Sequence, residues 1–341
     1  MESTDINFIF QKSNLSKDLM ERKFGDKKIF ITGGTGFIGK WLLASLQKIR
    51  EEIEGNLHLY VLTRNSKKFR NNFSYLAKDV HFIEGSVEDK STFKDLKKDF
   101  NYIFHFSGET AIDPKKLDDY FEVSVLGTNN LLKYVVSDLT ETFFFASSGA
   151  VYRNFEQINK RISESDPCVD LNDQIEKEYG FTKKKCENIL ETKLNNHNCN
   201  LVNFRIFALS GPFMYFDRHY AFGNFLLDAS KGQEIVMSTD GQVFRSFMHV
   251  RDFMVWILRL LKLDLHESHL NLNVGSDRAS TVRDLAQLIA DKYSLNVIYS
   301  EKASKNKQYY VPSIDLAKSM NLDIYTNLEE CISLTMQHLN P

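Results

Sequence analysis

The chain has 341 residues and nearly balanced charge, with 43 lysines and arginines against 45 aspartates and glutamates, a formal net charge of −2. That balance gives no electrostatic case for nucleic acid or an anionic membrane, no apolar run approaches the ~20 residues needed to cross a bilayer, and Met1-Glu2-Ser3-Thr4-Asp5 lacks the regions of a secretory leader. Cys168, Cys186, Cys199 and Cys331 lack Cys-x-x-Cys spacing and read as free thiols with no metal site, which places the chain in a reducing compartment, the cytoplasm.

Residues 1–26 precede the first strand, and Phe8, Ile9, Phe10, Leu15, Leu19 and Met20 mark an amphipathic arm expected to pack on its own domain or on a partner subunit. The apolar, β-branched run Lys28–Thr32 reads as a buried strand. It leads into Gly33-Gly34-Thr35-Gly36-Phe37-Ile38-Gly39 and then a helical pattern over Lys40–Leu46. Strand, glycine turn and helix in that order suit a dinucleotide pyrophosphate, because glycines admit phosphate to the backbone and a helix N-terminus offers unpaired N–H groups. Gly33, Gly36, Phe37, Ile38 and Gly39 are the candidate cofactor-binding residues of this turn.

Further strands are expected at Leu57–Thr63, Val80–Glu84, Tyr102–Phe106, Glu141–Ala146 and Asn200–Arg205. Helices lie between them, including Asp118–Ser137 and Gln174–Leu194, and a later helix covers Phe253–Leu263. Buried strands alternating with helices predict an α/β fold, a Rossmann-type doubly wound parallel sheet. After Gly211-Pro212 the elements become shorter and mixed.

At the end of the second strand, an acidic residue suits the ribose hydroxyls of NAD and an arginine the 2′-phosphate of NADP. The chain offers Arg64, followed by Lys67 and Lys68, so NADP is favoured and NAD stays open. Tyr179 and Lys183 stand four apart on a predicted helix and share a face. A lysine ammonium there is expected to lower the phenol pKa from its usual ~10 and make Tyr179 a proton-transfer group.

These motifs together resemble the extended short-chain dehydrogenase/reductases, in the nucleotide-sugar epimerase/dehydratase group. Ser147-Ser148-Gly149-Ala150-Val151-Tyr152, Arg205-Ile206-Phe207, the run from Arg245 to Asp252 and Asn273-Val274-Gly275-Ser276 add to the likeness. The resemblance implies a dinucleotide-binding domain over 27–211 and a smaller C-terminal α/β substrate lobe, mainly 212–341, with some return to the large domain. It implies catalysis by Ser148, Tyr179 and Lys183, where Ser148 meets the substrate oxygen and Lys183 also holds the nicotinamide ribose. Ser147 points the other way by strand alternation. The implied substrate is a nucleotide-diphosphate sugar, with Arg218, His219, Asn224 and Arg245 as candidate contacts. A guanidinium such as Arg245 suits a diphosphate. His249 and Asp252 read as structural. The implied assembly is a homodimer through the helices at Asp118–Ser137 and Gln174–Leu194.

The chain departs from the group's pattern at Ser86, Ser124, Ala208 and Ser246. Gly149 and Ala150 stand where dehydratases of the group carry an acidic pair. The expected reaction is therefore hydride transfer at C4 of a hexose, of the 4-epimerase or 4-keto reductase type. The alternatives are a 4,6-dehydratase and a catalytically silent NADP(H)-binding regulatory or scaffold protein.

Overall fold

In the computed structural model, the described residues are 3–108, 117–153, 155–157, 159–172, 178–216, 220–263, 268–303 and 308–339. The large sheet is built from β1 (Lys28–Thr32), β2 (His58–Thr63), β3 (Val80–Glu84), β4 (Tyr102–His105), β5 (Thr142–Ser148), β6 (Asn200–Ile206) and β11 (His269–Val274). Their spatial order is β3-β2-β1-β4-β5-β6-β11, and every neighbouring pair is parallel. The order reverses between β1 and β4, which opens a crevice at the carboxyl ends of those strands.

Strand alternation sorts the core onto the two faces of this sheet. Phe144 and Phe204 turn toward α3 (Phe37–Glu52) and α8 (Val250–Leu260), joining Trp41 and Trp256 in one buried cluster. Phe143 and Phe145 turn the opposite way and bury Cys186 and Leu190 of α6 (Tyr179–Leu194) and Leu131 of α5 (Leu117–Leu132). The seventh strand, β11, lies far along the chain yet pairs with β6, from Leu201 opposite His269 to Ile206 opposite Val274.

The N-terminal arm is two helices, α1 (Ser3–Ser13) and α2 (Lys17–Phe24). Asn14 takes a left-handed φ of 52° where the first ends, and Ser16 caps the second by accepting from the Leu19 amide at 3.3 Å. The arm packs on its own domain. Ile9 and Phe24 are fully buried, and Arg259 of α8 donates to the Lys12 carbonyl at 2.6 Å.

The smaller lobe has its own core, where α7 (Ala221–Ser230), α9 (Val282–Tyr293) and α11 (Leu328–Leu339) bury Phe222, Leu226, Leu285, Ile289 and Ile332. A short three-stranded sheet faces the crevice, with β9 (Phe244–Arg245) between β12 (Ser280–Thr281) and β14 (Tyr309–Tyr310). Elsewhere β7 (Leu209–Ser210) pairs with β10 (Met248–His249) and β8 (Ile235–Val236) with β13 (Val297–Ile298), and the short helices α4 (Ser66–Asn72) and α10 (Asp315–Ser319) pack on the core of the large sheet. Among the described residues no helix is long and apolar enough to cross a membrane.

Several boundaries differ from the sequence reading. α5 ends at Leu132 instead of 137, and the chain continues as turns that still bury Tyr134 and Val135. α6 begins at Tyr179, and 173–177 of the expected helix lie outside the described residues. α8 starts three residues earlier than expected because His249 caps it, its ring nitrogen accepting from the Arg251 amide at 3.2 Å.

Candidate active site

The turn after β1 is shaped by backbone contact. Gly33 has a φ of +71°, and a Cβ on it would stand 2.5 Å from the Phe106 carbonyl oxygen. A Cβ on Gly39 would stand 2.2 Å from the Gly33 oxygen. Gly36 is the N-cap of α3 and has no side chain to cap it, and the first turn carries no acidic residue. The leading N–H groups of α3, through Phe37, Ile38 and Gly39, therefore keep their hydrogen-bonding capacity at the positive end of a sixteen-residue helix. A backbone cradle of this kind fits a dinucleotide pyrophosphate.

Arg64 follows the last residue of β2 and is exposed. The structure adds a group that reading along the chain does not place there. Glu84, at the end of β3 and level with Thr63, accepts from the Ser66 amide at 2.9 Å and from its hydroxyl. An arginine and a carboxylate thus share the rim at the end of β2. Ser86, where an adenine contact is usual, bonds Glu88.

Ser148, Tyr179 and Lys183 converge at the carboxyl end of β5. The Ser148 hydroxyl accepts from the Ala150 amide at 3.1 Å, which caps the single tight turn Gly149–Val151. The phenols of Tyr179 and Tyr310 lie near enough to feel this hydroxyl, which offsets part of the rise that burial imposes on each. Tyr179 opens α6, and its ring stacks on Tyr120 of α5 at 5.6 Å between centroids. α6 can start this close to the turn because position 180 is glycine; a Cβ there would be 2.0 Å from the Ala150 oxygen. Ser147 does face the other way, donating to Glu187 at 2.6 Å.

The expected effect of Lys183 on Tyr179 is not what the structure shows. The Lys183 ammonium donates to the Ala146 carbonyl at 2.8 Å and lies 5.9 Å from the centre of the Tyr179 ring. Burial is the dominant influence on both groups. It brings the lysine pKa down to about 8, and it raises that of the phenol above its usual value, with Tyr310 and Tyr220 adding to the rise. Tyr179 is here a neutral phenol. Nearby His105 is pushed down to about 3 by burial and by Lys183, so it serves as a neutral bridge between Thr32 and Thr128 at 2.9 and 3.3 Å.

Across the crevice, Arg245 on β9 is held by Gln308, its guanidinium donating to the amide oxygen at 2.8 Å. Asn224 lies on α7 and is half-buried. Arg218 and His219 lie outside the described residues. Asp252 is structural, accepting from the amides of Tyr325 and Thr326 at 3.0 and 2.8 Å.

Two site residues escape the sequence reading. Tyr310 comes from the smaller lobe and reaches the turn after Ser148, where a Cβ on Gly149 would stand 2.6 Å from its hydroxyl, and no motif surrounds it in the chain. Glu187 forms a buried ion pair with Arg205 at 2.9 Å behind the catalytic strand. The spacing Lys183-x-x-x-Glu187, a second four-residue step on the same helix face, is the signal that could have found it. Among the described residues no group of three or more histidine, cysteine, aspartate or glutamate side chains could hold a metal ion.

A doubly wound parallel sheet with a glycine cradle at its switch point, and serine, tyrosine and lysine side chains at the end of the fifth strand, is the arrangement of the extended short-chain dehydrogenase/reductases. Residues 29–275 match the model of the NAD dependent epimerase/dehydratase family. The chain belongs to that family. It is 25% identical to a UDP-glucose 4-epimerase of Mycoplasma genitalium, over 90% of this chain and 94% of that protein. It is 27% identical to UDP-glucuronate 4-epimerase 2 of Arabidopsis thaliana over 66% of this chain, and the match spans 52% of the plant protein. Among solved structures it shares the fold of a Thermotoga maritima UDP-glucose 4-epimerase with UDP-glucose, with a TM-score of 0.77, 21% identity and coverage of 92% of this chain and 98% of that one. A Thermus thermophilus UDP-glucose 4-epimerase complex with NAD has a TM-score of 0.74, 21% identity and coverage of 92% and 99%.

Proposed function

We propose that this protein inverts C4 of a UDP-linked hexose or hexuronate by NAD-dependent hydride transfer. The observation that carries the reading is the meeting of Ser148, Tyr179 and Lys183 beside the glycine cradle, with Gly149 and Ala150 bare of any acid or base. The named activities of the relatives at matching lengths support a 4-epimerase over the reductase and dehydratase alternatives.

In this reading the cradle at Gly33, Gly36 and Gly39 holds the pyrophosphate, and Lys183 holds the nicotinamide ribose. A cofactor bound there would supply the hydride acceptor and a positive charge that favours phenolate. Tyr179 takes the proton of the C4 hydroxyl as the C4–H bond breaks, while Ser148 hydrogen-bonds the same oxygen. The electron pair leaves carbon with the hydride, and C4 becomes a carbonyl. Tyr179 would then give the proton back as the sugar, turned to its other face, regained hydride from the bound cofactor, and the epimer would form. The hexose must turn between these steps while the nucleotide stays anchored, which is the task assigned to Arg245 and Asn224. Nothing at positions 149 or 150 can move a proton at C5 or C6, so no elimination follows.

The reading includes a working division into an arm at 1–26, a dinucleotide-binding domain at 27–211 and a substrate lobe mainly at 212–341. It also includes a homodimer through α5 and α6, supported by Val123 and Leu126, which leave apolar surface exposed on α5.

Purified protein incubated with NAD and UDP-glucose, UDP-galactose or UDP-glucuronate should yield the C4 epimer by NMR, without net reduction of cofactor. Stoichiometric consumption of NADPH with a keto-sugar would establish a reductase. A 4-keto-6-deoxy product would establish a dehydratase and defeat the reading.

A further inference from the structure

Two signals at the end of β2 point to different cofactors. An arginine there suits a 2′-phosphate, and an acidic residue suits free ribose hydroxyls. Arg64 is the arginine, and the carboxylate arrives from the neighbouring strand, where Glu84 closes β3 in register with Thr63. Its Oε1 accepts from the Ser66 amide at 2.9 Å and from the Ser66 hydroxyl. The hydroxyl, and then the amide, hold the carboxyl below its usual range, so it is ionised at neutral pH. Both bonds fall on one oxygen, and Oε2 takes part in no hydrogen bond among the described residues. The side-chain cap of α4 is Asn65, which accepts from the Lys68 amide at 2.8 Å.

We propose that Glu84 selects NAD over NADP. The inference rests on the NAD-dependent reading of the cradle and names the residue that sets the choice. Glu84 Oε2 is the acceptor for the 2′-hydroxyl of the adenosine ribose, while Ser66 keeps the carboxylate from turning away. The same carboxylate opposes a 2′-phosphate in two ways. It places a negative charge against the phosphate, and it occupies the Ser66 donors that would join Arg64 in holding one. Arg64 is left to do so alone, and a lone exposed ion pair adds little in water. An arginine after β2 is therefore not enough to make this an NADP site.

Calorimetric titration of the nucleotide-free full chain with NAD and with NADP tests the assignment. The wild type should favour NAD by roughly tenfold, the worth of one hydrogen bond to a charged group. Glu84→Ala should weaken NAD roughly tenfold and tighten NADP by a similar factor, which reverses the preference. Glu84→Gln, which keeps an acceptor for Ser66 and loses the charge, should narrow the preference without reversing it. Glu84 is exposed at the rim, so neither change disturbs the core. Arg64→Ala should leave NADP affinity within about twofold in the wild-type background and cost it roughly tenfold in the Glu84→Ala background. A wild type that prefers NADP, or an NAD-to-NADP ratio that Glu84→Ala leaves within about twofold of wild type, overturns the assignment. No turnover is read, so a wild type that forms no C4 epimer counts against the proposed reaction alone.

Discussion

Replacing Glu187 with glutamine should destabilise the protein sharply while changing almost no volume. The carboxylate is fully buried and meets donors on every side: Ser147 at 2.6 Å, Arg205 at 3.0 and 2.9 Å, and Lys184 at 3.0 Å. An amide keeps one acceptor and turns an N–H₂ group toward donors. Arg205, itself 3% exposed, is left as a buried charge without its counter-ion. Breaking a buried pair in this way costs about 3–5 kcal/mol. With an unfolding entropy of about 2.1 cal/mol/K per residue, a chain of 341 residues should lose roughly 4–7 °C of Tm. Burial alone would raise the carboxyl pKa, but Arg205, Lys184 and Ser147 outweigh it and hold the group below its ordinary value. The stability it adds is therefore present above the usual glutamate range of ~4.3 and is lost as pH falls through the lower folded value. Thermal unfolding followed by circular dichroism should show the full deficit at pH 7 and a smaller one in acid. A Glu187→Gln midpoint within about 1 °C of wild type at pH 7 would refute this account of the pair.

Tyr179→Phe should lower turnover by ~10²–10⁴-fold with NAD still bound, as read by quenching of protein fluorescence; retained turnover would remove the phenol from the mechanism. Lys183 has its pKa brought down to about 8 by burial, so its charge disappears as pH rises through that value. NAD affinity should weaken over the same interval, and Lys183→Met should abolish that pH dependence in a calorimetric titration. Leu126→Lys on the exposed face of α5 should convert a dimer to monomer in sedimentation velocity, and an unaltered sedimentation coefficient would place the interface elsewhere.

The parts legible in the sequence are those fixed by short-range rules. Lys28–Thr32 and the following glycines announce strand, turn and helix because each backbone demand is local. Ser148 was found through resemblance, and the structure brings it to Tyr179. Contacts made by distant segments stayed hidden. Tyr310 sits in a two-residue strand whose position depends on the whole smaller lobe, and Glu84 reaches Ser66 only because β3 lies beside β2. The Tyr179–Lys183 spacing puts both residues on one helix, but spacing does not say where a long side chain ends. The Ala146 carbonyl claims the ammonium, and burial then governs both groups. β11 carries little strand signal of its own beyond Asn273-Val274-Gly275, since its partner β6 lies nearly seventy residues earlier.

The grip of Arg259 on the Lys12 carbonyl joins residues 247 apart in the chain. During synthesis α1 emerges well before the surface it covers, which belongs to a helix made more than two hundred residues later. Until α8 leaves the ribosome, Ile6, Phe8, Ile9 and Phe10 have no native partner there. A segment made early is therefore among the last to find its place. In that interval it is a sticky amphipathic stretch, suited to chaperone capture and vulnerable to a bulky fusion at the N-terminus. A tag at the other end should give the higher soluble yield.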